Sequence, residues 1–132
     1  MQDITESTVR TVRVELADRS YDIVIGDGLL AHAGALIAGI AQGVKCAIVT
    51  DTNVASSQLD ALRGGLDGHC AIAETIVLEP GEATKCFGEL ESVTTRLLEA
   101  RIERGDLVIA LGGGVIGDLA GFAASILRRG VG

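Results

Sequence analysis

Tryptophan is missing from this chain, and Tyr21, Phe87 and Phe122 are its only aromatic side chains. Aromatics make up 2% of the 132 residues and hydrophobic residues 48%, so the core has to be built from valine, isoleucine, leucine and alanine. That is the composition of buried parallel strands. Basic residues are also scarce: 11 Lys and Arg against 18 Asp and Glu leave a net charge of −7. A broad cationic face for nucleic acid is thereby excluded. No apolar run reaches the roughly 18 residues that would span a bilayer. The opening MQDITESTVR lacks the apolar centre of a secretory signal, so a cytoplasmic protein with no membrane partner is expected.

Cysteine and histidine exclude further chemistry. Cys46, Cys70 and Cys86 are odd in number and without C-x-x-C spacing, so they form no disulfide framework. Cys46, inside the apolar run KCAIVT, is expected in the core, and reactivity at Cys70 or Cys86 is the lesser alternative for those two. His32 and His69 stand alone, without ligand spacing, so no metal site is expected among these residues.

What remains is a pattern of alternation. Residues 1–8 are expected to be a disordered lead-in, followed by a single domain over 9–132. VRTVRVEL, from Val9 to Leu16, alternates as a half-buried strand; Ala17 to Ser20 is a turn, and Tyr21 to Ile25 completes a hairpin. Leu29, Ala33, Leu36, Ile37 and Ile40 recur at helical spacing, closed by Gly43. Lys45–Thr50 reads as a strand, Asp51-Thr52-Asn53 as a turn, and Ala55–Leu62 as a helix ended by Gly64-Gly65. His69–Leu78 is a strand and Glu79 to Glu82 a turn around the sole proline, Pro80. Phe87, Leu90, Thr94, Leu97, Leu98 and Ile102 mark a helix, Asp106–Leu111 a strand, and Val115–Arg128 the last helix. No repeat or low-complexity stretch interrupts the order. A hairpin followed by alternating helices and strands predicts an α/β, Rossmann-like parallel sheet with helices on both faces.

The segment LGGGVIGDLAGFAASILRRGVG, 111–132, carries the chemistry. An apolar strand that ends in three glycines and opens a helix lets a phosphate approach bare backbone, near N–H groups and the positive end of the helix dipole. It is not the phosphate loop G-x-x-x-x-G-K-S/T. It holds G-x-G-x-x-G from Gly112, but late in the chain and without the acid about 20 residues on that a dinucleotide fingerprint carries. Glycines that merely let a strand and a helix pack closely are the competing reading.

Three polar loops, DTN, EPGEATK and GGGVIGD, follow the parallel strands, on the edge where open α/β sheets bind ligands. Ribose hydroxyls favour carboxylates, which Asp51, Glu82 and Asp118 supply, and Lys85 adds a cation. The bland alternatives are a helix cap at Asp51 or Thr52 and a dipole partner at Asp118. Arg128 and Arg129 either complement a helix C-terminus or bind a phosphate or carboxylate.

ALGGGVIGDLAGFAASILRRGV resembles the signature of the 3-dehydroquinate synthase family, and TDTNVA at 50–55 and EPGEATK at 79–85 agree. The resemblance runs from about Val9 onward. Iron-dependent alcohol and glycerol dehydrogenases share a GGG turn but lack the GDLAGFAA continuation; related sugar phosphate cyclases are closer. The resemblance implies an N-terminal NAD-binding domain and a helical domain holding a divalent metal, zinc or cobalt. It implies a sugar-phosphate substrate, 3-deoxy-D-arabino-heptulosonate 7-phosphate, whose ring hydroxyl is oxidised by NAD before phosphate is lost. The ketone is then reduced back, and ring opening with aldol closure gives 3-dehydroquinate. Matched by position, Asp51, Asn53, Glu82, Lys85, Gly114, Val115, Ile116, Gly117 and Asp118 are the NAD-contacting residues. Arg129 is the arginine that meets substrate phosphate across a homodimer interface.

This sequence departs from the family at Cys86, where serine is common, and at Ala83-Thr84. The catalytic lysines, the asparagine and the Glu/His/His metal ligands that the resemblance calls for have no counterpart in these 132 residues. The expectation is therefore the N-terminal, truncated part of such an enzyme, inactive by itself. A stand-alone, non-catalytic nucleotide-binding module is the alternative.

Overall fold

The structure, a computed structural model, describes residues 10–16, 20–26, 28–39, 43–81 and 86–126. The expected lead-in, Val9, the turn at 17–19, Ile40, Glu82, Lys85, Arg128 and Arg129 lie outside the described residues. Two strands, β1 (Arg10–Val14) and β2 (Tyr21–Ile25), pair antiparallel with Arg13 opposite Asp22. Arg13 Nη1 reaches the Asp22 carboxylate at 3.1 Å across that pair. A short 3-10 turn, Leu29–His32, runs into α1 (Ala33–Ala38).

Three parallel strands form the second sheet: β3 (Lys45–Asp51), β4 (Ala71–Leu78) and β5 (Leu107–Leu111), in the order β4-β3-β5. The central strand shows why its sequence reads as a continuous apolar run. Cys46 and Ile48 face one side, into a cluster with Leu62 and Leu66. Ala47 and Val49 face the other, into a cluster with Ile76, Val93, Leu97, Ile116 and Ala123. Successive side chains of a strand alternate between faces, so a strand covered on both sides must be apolar at every step.

The first face is covered by α1 and by one helical run, α2, made of Thr52–Val54, a π-helical stretch Ala55–Leu59, and Asp60–Leu66. The second face is covered by α3 (Phe87–Glu99) and α4 (Gly114–Ile126). The expected α/β sheet with helices on both faces and a preceding hairpin is what the chain forms. Among the described residues no helix is long and apolar enough to cross a membrane.

Several expected boundaries are corrected. Asp51-Thr52-Asn53 is not a free turn, because the strand ends at Asp51 and the helix begins at Thr52. The reason is the Asp51 carboxylate, whose Oδ1 accepts from Val54 N at 2.8 Å and caps the helix on the spot. Gly64-Gly65 does not end α2, which continues to Leu66. Gly65 is there for close contact: a Cβ on it would strike the Leu30 carbonyl oxygen. One on Gly34 would collide with the His69 ring and the Gly65 carbonyl. Helix α3 stops at Glu99, short of Ile102. Arg101 takes a left-handed φ of 61°, and Arg101 N and Ile102 N turn back onto Leu98 O and Leu97 O. This C-terminal cap tucks Ile102 into the core beyond the helix. Phe87 and Leu98, expected on the buried face of α3, are exposed; Phe87 is 86% accessible.

Candidate nucleotide site at the carboxyl edge of the sheet

Strand register brings the loops together. Asp51 pairs with Leu78 of β4, and Thr50 pairs with Leu111 of β5. The ends of all three parallel strands, at Asp51, Leu78 and Leu111, therefore lie side by side. Thr50, fully buried, donates its hydroxyl to the Leu111 carbonyl at 2.7 Å. That bond ties the end of β3 to the last residue before the glycines. Sequence reasoning missed Thr50; its signal was a lone hydroxyl at the end of an otherwise apolar buried strand.

The glycine turn divides into two roles. Gly112 has φ 155°, and a Cβ there would come within 3.2 Å of Ile116. It is the position where strand-to-helix packing excludes a side chain. Gly113, Gly114 and Gly117 are different: a Cβ on any of them would meet nothing within 4 Å. Their bare faces open outward. The first backbone bond of α4 in this turn runs from Gly117 N to Gly113 O at 3.0 Å. The N–H groups of Gly114, Val115 and Ile116 come before it and have no acceptor within the helix. An exposed glycine surface with three donors and the positive end of a 13-residue helix is an anion cradle.

The expected residues fall into groups. Gly114, Gly117 and Asp118 are exposed at the start of α4, and Val115 is half-buried. The Ile116 side chain is 2% accessible and packs in the core, so only its backbone can meet a ligand. Asp51 is half-buried, with Oδ1 engaged as the helix cap and no bond to Oδ2 among the described residues. Asn53 is exposed in the first turn of α2. Asp118 lines a cavity of about 320 Å³ between the start of α3 and the face of α4, with Cys86, Phe87, Leu90, Leu119 and Phe122. Its walls are apolar except for that carboxylate. Glu82, Lys85 and Arg129 are outside the described residues and cannot be positioned. Among the described residues, no group of three or more His, Cys, Asp or Glu could hold a metal ion.

The family model described as 3-dehydroquinate synthase N-terminal matches residues 75–132, from within β4 through the glycine turn. A 3-dehydroquinate synthase of Rhizobium etli is 57% identical over 125 residues, covering 95% of this chain and 33% of that protein. One of Paracoccus denitrificans is 57% identical over 124 residues, covering 94% of this chain and 34% of that protein. The chain thus spans about a third of the length of these curated relatives.

Among solved structures, a 2-deoxy-scyllo-inosose synthase complexed with carbaglucose-6-phosphate, NAD+ and Co2+ superposes with a TM-score of 0.81 at 21% identity, over 92% of this chain and 33% of the other. At that identity it speaks for the fold. A 2-epi-5-epi-valiolone synthase from Streptomyces hygroscopicus with NAD+ and Zn2+ bound gives a TM-score of 0.71 at 30% identity, over 89% of this chain and 32% of the other. By sequence along nearly all its length and by fold, this chain belongs to the 3-dehydroquinate synthase family and corresponds to the N-terminal part of those proteins.

Proposed function

We propose that this chain is the NAD-binding part of a 3-dehydroquinate synthase, a lyase acting on 3-deoxy-D-arabino-heptulosonate 7-phosphate in the shikimate pathway. One observation carries the reading: glycines 113, 114 and 117, whose Cβ positions are open, follow β5, the strand paired directly with the one that ends at Asp51. The residues fit a dinucleotide. The N–H groups of Gly114, Val115 and Ile116 suit its pyrophosphate. Asp51 Oδ2 suits a ribose hydroxyl, the task a carboxylate performs after an early strand in dinucleotide-binding folds. Asp118, which lines the apolar cavity beside α4, is the second acceptor; Asn53, Glu82 and Lys85 complete the set by their match to the family.

When bound, NAD supplies a hydride acceptor, and in the same turnover a donor. The protein's part here is to hold the pyrophosphate on backbone donors that need no reorganisation, and to fix the riboses by charged acceptors. The described residues do not fit the divalent metal of such enzymes, zinc or cobalt, and no step is assigned to it. Arg129 is read as the group that grips the phosphate of the sugar substrate, from one copy to the other in a homodimer. Cytoplasmic placement belongs to the same reading. These parts rest on the resemblance.

Titration calorimetry of this chain with NAD, and with ATP as comparison, tests the assignment. Weak NAD binding is expected of a chain that spans about a third of its relatives' length, since each contact of about 1 kcal/mol made elsewhere in those proteins would be lost to it, and several together lower affinity by orders of magnitude. Gly114→Val is the decisive variant. A Cβ at 114 would meet nothing within 4 Å outside its own stretch of helix, so the fold is expected to tolerate a side chain there while the phosphate position is blocked. Loss of NAD heat with unchanged circular dichroism is the expected result. No heat from the unaltered, folded chain at millimolar NAD, or undiminished binding by Gly114→Val, rejects the site.

A further inference from the structure

Far from the glycine turn, at the opposite end of β3, two of the three cysteines meet. Cys46, at the second position of β3, and Cys70, just before β4, are both reduced. Cys70 Sγ donates to Cys46 Sγ at 3.4 Å. Nothing in their spacing pairs them. They are neighbours because β3 and β4 lie side by side in parallel, with Lys45 opposite Ala71. Cys70 is held by its backbone N–H, which donates to Leu66 O at 3.2 Å at the end of α2. Cys46 is wholly buried, whereas Cys70 is half-buried. Cys70 also lines an open cavity of about 350 Å³ with Lys45, His69 and Gly43. Of the two residues, Cys70 is the one that borders solvent.

We propose that Cys46 and Cys70 form an oxidative modification site: a vicinal thiol pair that hydrogen peroxide converts to an intramolecular disulfide. In the first step the Cys70 thiolate attacks one oxygen of the peroxide. A sulfur–oxygen bond forms, the oxygen–oxygen bond breaks, and the departing hydroxide takes up the thiol's proton as water. In the second step the Cys46 sulfur attacks the Cys70 sulfenic acid. The sulfur–sulfur bond forms and the sulfur–oxygen bond breaks, and the leaving hydroxide accepts the Cys46 proton as a second water. Two thiols and one peroxide thus give one disulfide and two waters. Burial first, and Cys70 and Asp106 after it, push the Cys46 thiol up to about 12. Cys46 is therefore a thiol at neutral pH, and its proton leaves only with the hydroxide released in the second step. The sulfurs need to close from 3.4 Å to about 2.05 Å, the length of a disulfide bond, by side-chain rotation and a small shift of the segment before β4. The bond would staple the start of β3 to the residue that leads into β4 and leave the carboxyl edge of the sheet untouched.

The test removes the exposed third cysteine with Cys86→Ser, then treats the folded protein with hydrogen peroxide. Intact mass should fall by two hydrogen atoms, thiol titration should fall from two to none, and a Cys46–Cys70 cross-linked peptide should appear on mapping. The oxidised form should melt about 5–10 °C higher, returning to its former value on reduction. Adding Cys70→Ser should abolish the mass loss. Adding Cys46→Ser should stop the reaction at oxygen adducts on Cys70. Two persisting thiols, oxygen adducts alone with both cysteines present, or a cross-link between two copies on a non-reducing gel would each overturn the proposal.

Discussion

Thr50 Oγ1 lies 2.7 Å from the carbonyl oxygen of Leu111, a bond between the last buried residue of β3 and the residue that leads into Gly112. A single hydroxyl thus joins the strand that delivers Asp51 to the strand that delivers the glycine turn. Thr50→Val preserves shape but leaves the part-buried Leu111 carbonyl without that donor. The expected cost is about 1–3 kcal/mol, seen as a lower denaturation midpoint. NAD binding should weaken in parallel. An unchanged midpoint would show that the bond contributes nothing.

Asp51 has two separable duties, and two substitutions separate them. Asn at this position still caps a helix, so Asp51→Asn should keep stability within about 0.5 kcal/mol. It should nevertheless weaken NAD, because a neutral amide is a poorer acceptor for a ribose hydroxyl. Asp51→Ala removes the cap as well and should cost about 1 kcal/mol of folding stability. If the Asn variant binds NAD as the unaltered chain does, Asp51 is a cap and nothing more.

Gly64 and Gly65 are adjacent in α2 but meet different surroundings. At Gly65 a methyl group would strike the Leu30 backbone carbonyl, whereas at Gly64 it would meet nothing within 4 Å. Gly65→Ala should destabilise by about 1–3 kcal/mol through overpacking. Gly64→Ala should stabilise by roughly 0.5–1 kcal/mol, because alanine is the better helix former. Urea denaturation of the two variants reads both signs, and the same sign for both would refute the close-contact reading of Gly65.

Arg129 belongs to the functional proposal. In a full-length enzyme carrying this segment, Arg129→Ala should lower kcat/KM about ten- to a hundredfold, the worth of one charge-assisted bond to phosphate. NAD affinity should be nearly unaffected. Arg128→Ala serves as the control, and equal losses from the two would count against a specific phosphate contact.

Much of the architecture was legible from local pattern. Alternating polarity marked β1, although the expected half-burial is not what forms, since Val12, Ile23 and Ile25 of the hairpin are exposed; the apolar run from Lys45 to Thr50 marked a buried strand; the glycines after Leu111 marked a strand-to-helix junction. These signals are local because hydrogen-bonded elements impose periods of 2 and 3.6 on whatever buries one face. The glycine turn also carried the family resemblance, since backbone that must approach a ligand tolerates little substitution of side chain.

Tertiary structure decided what depends on residues distant in sequence. Gly112 and Gly114 look alike in the chain, yet one is packed against Ile116 and the other faces open space. Gly65 looks like a helix terminator until Leu30 is laid against it. Ile116 belongs to a matched binding segment, but its side chain is in the core, so only its N–H is left for a ligand. Cys46 and Cys70 are unrelated in sequence and 3.4 Å apart in space. Sequence periodicity reports which face of an element is buried; it carries no record of what is buried against it. That is set by strand register and by helices crossing at close range, which exist only once the sheet has formed.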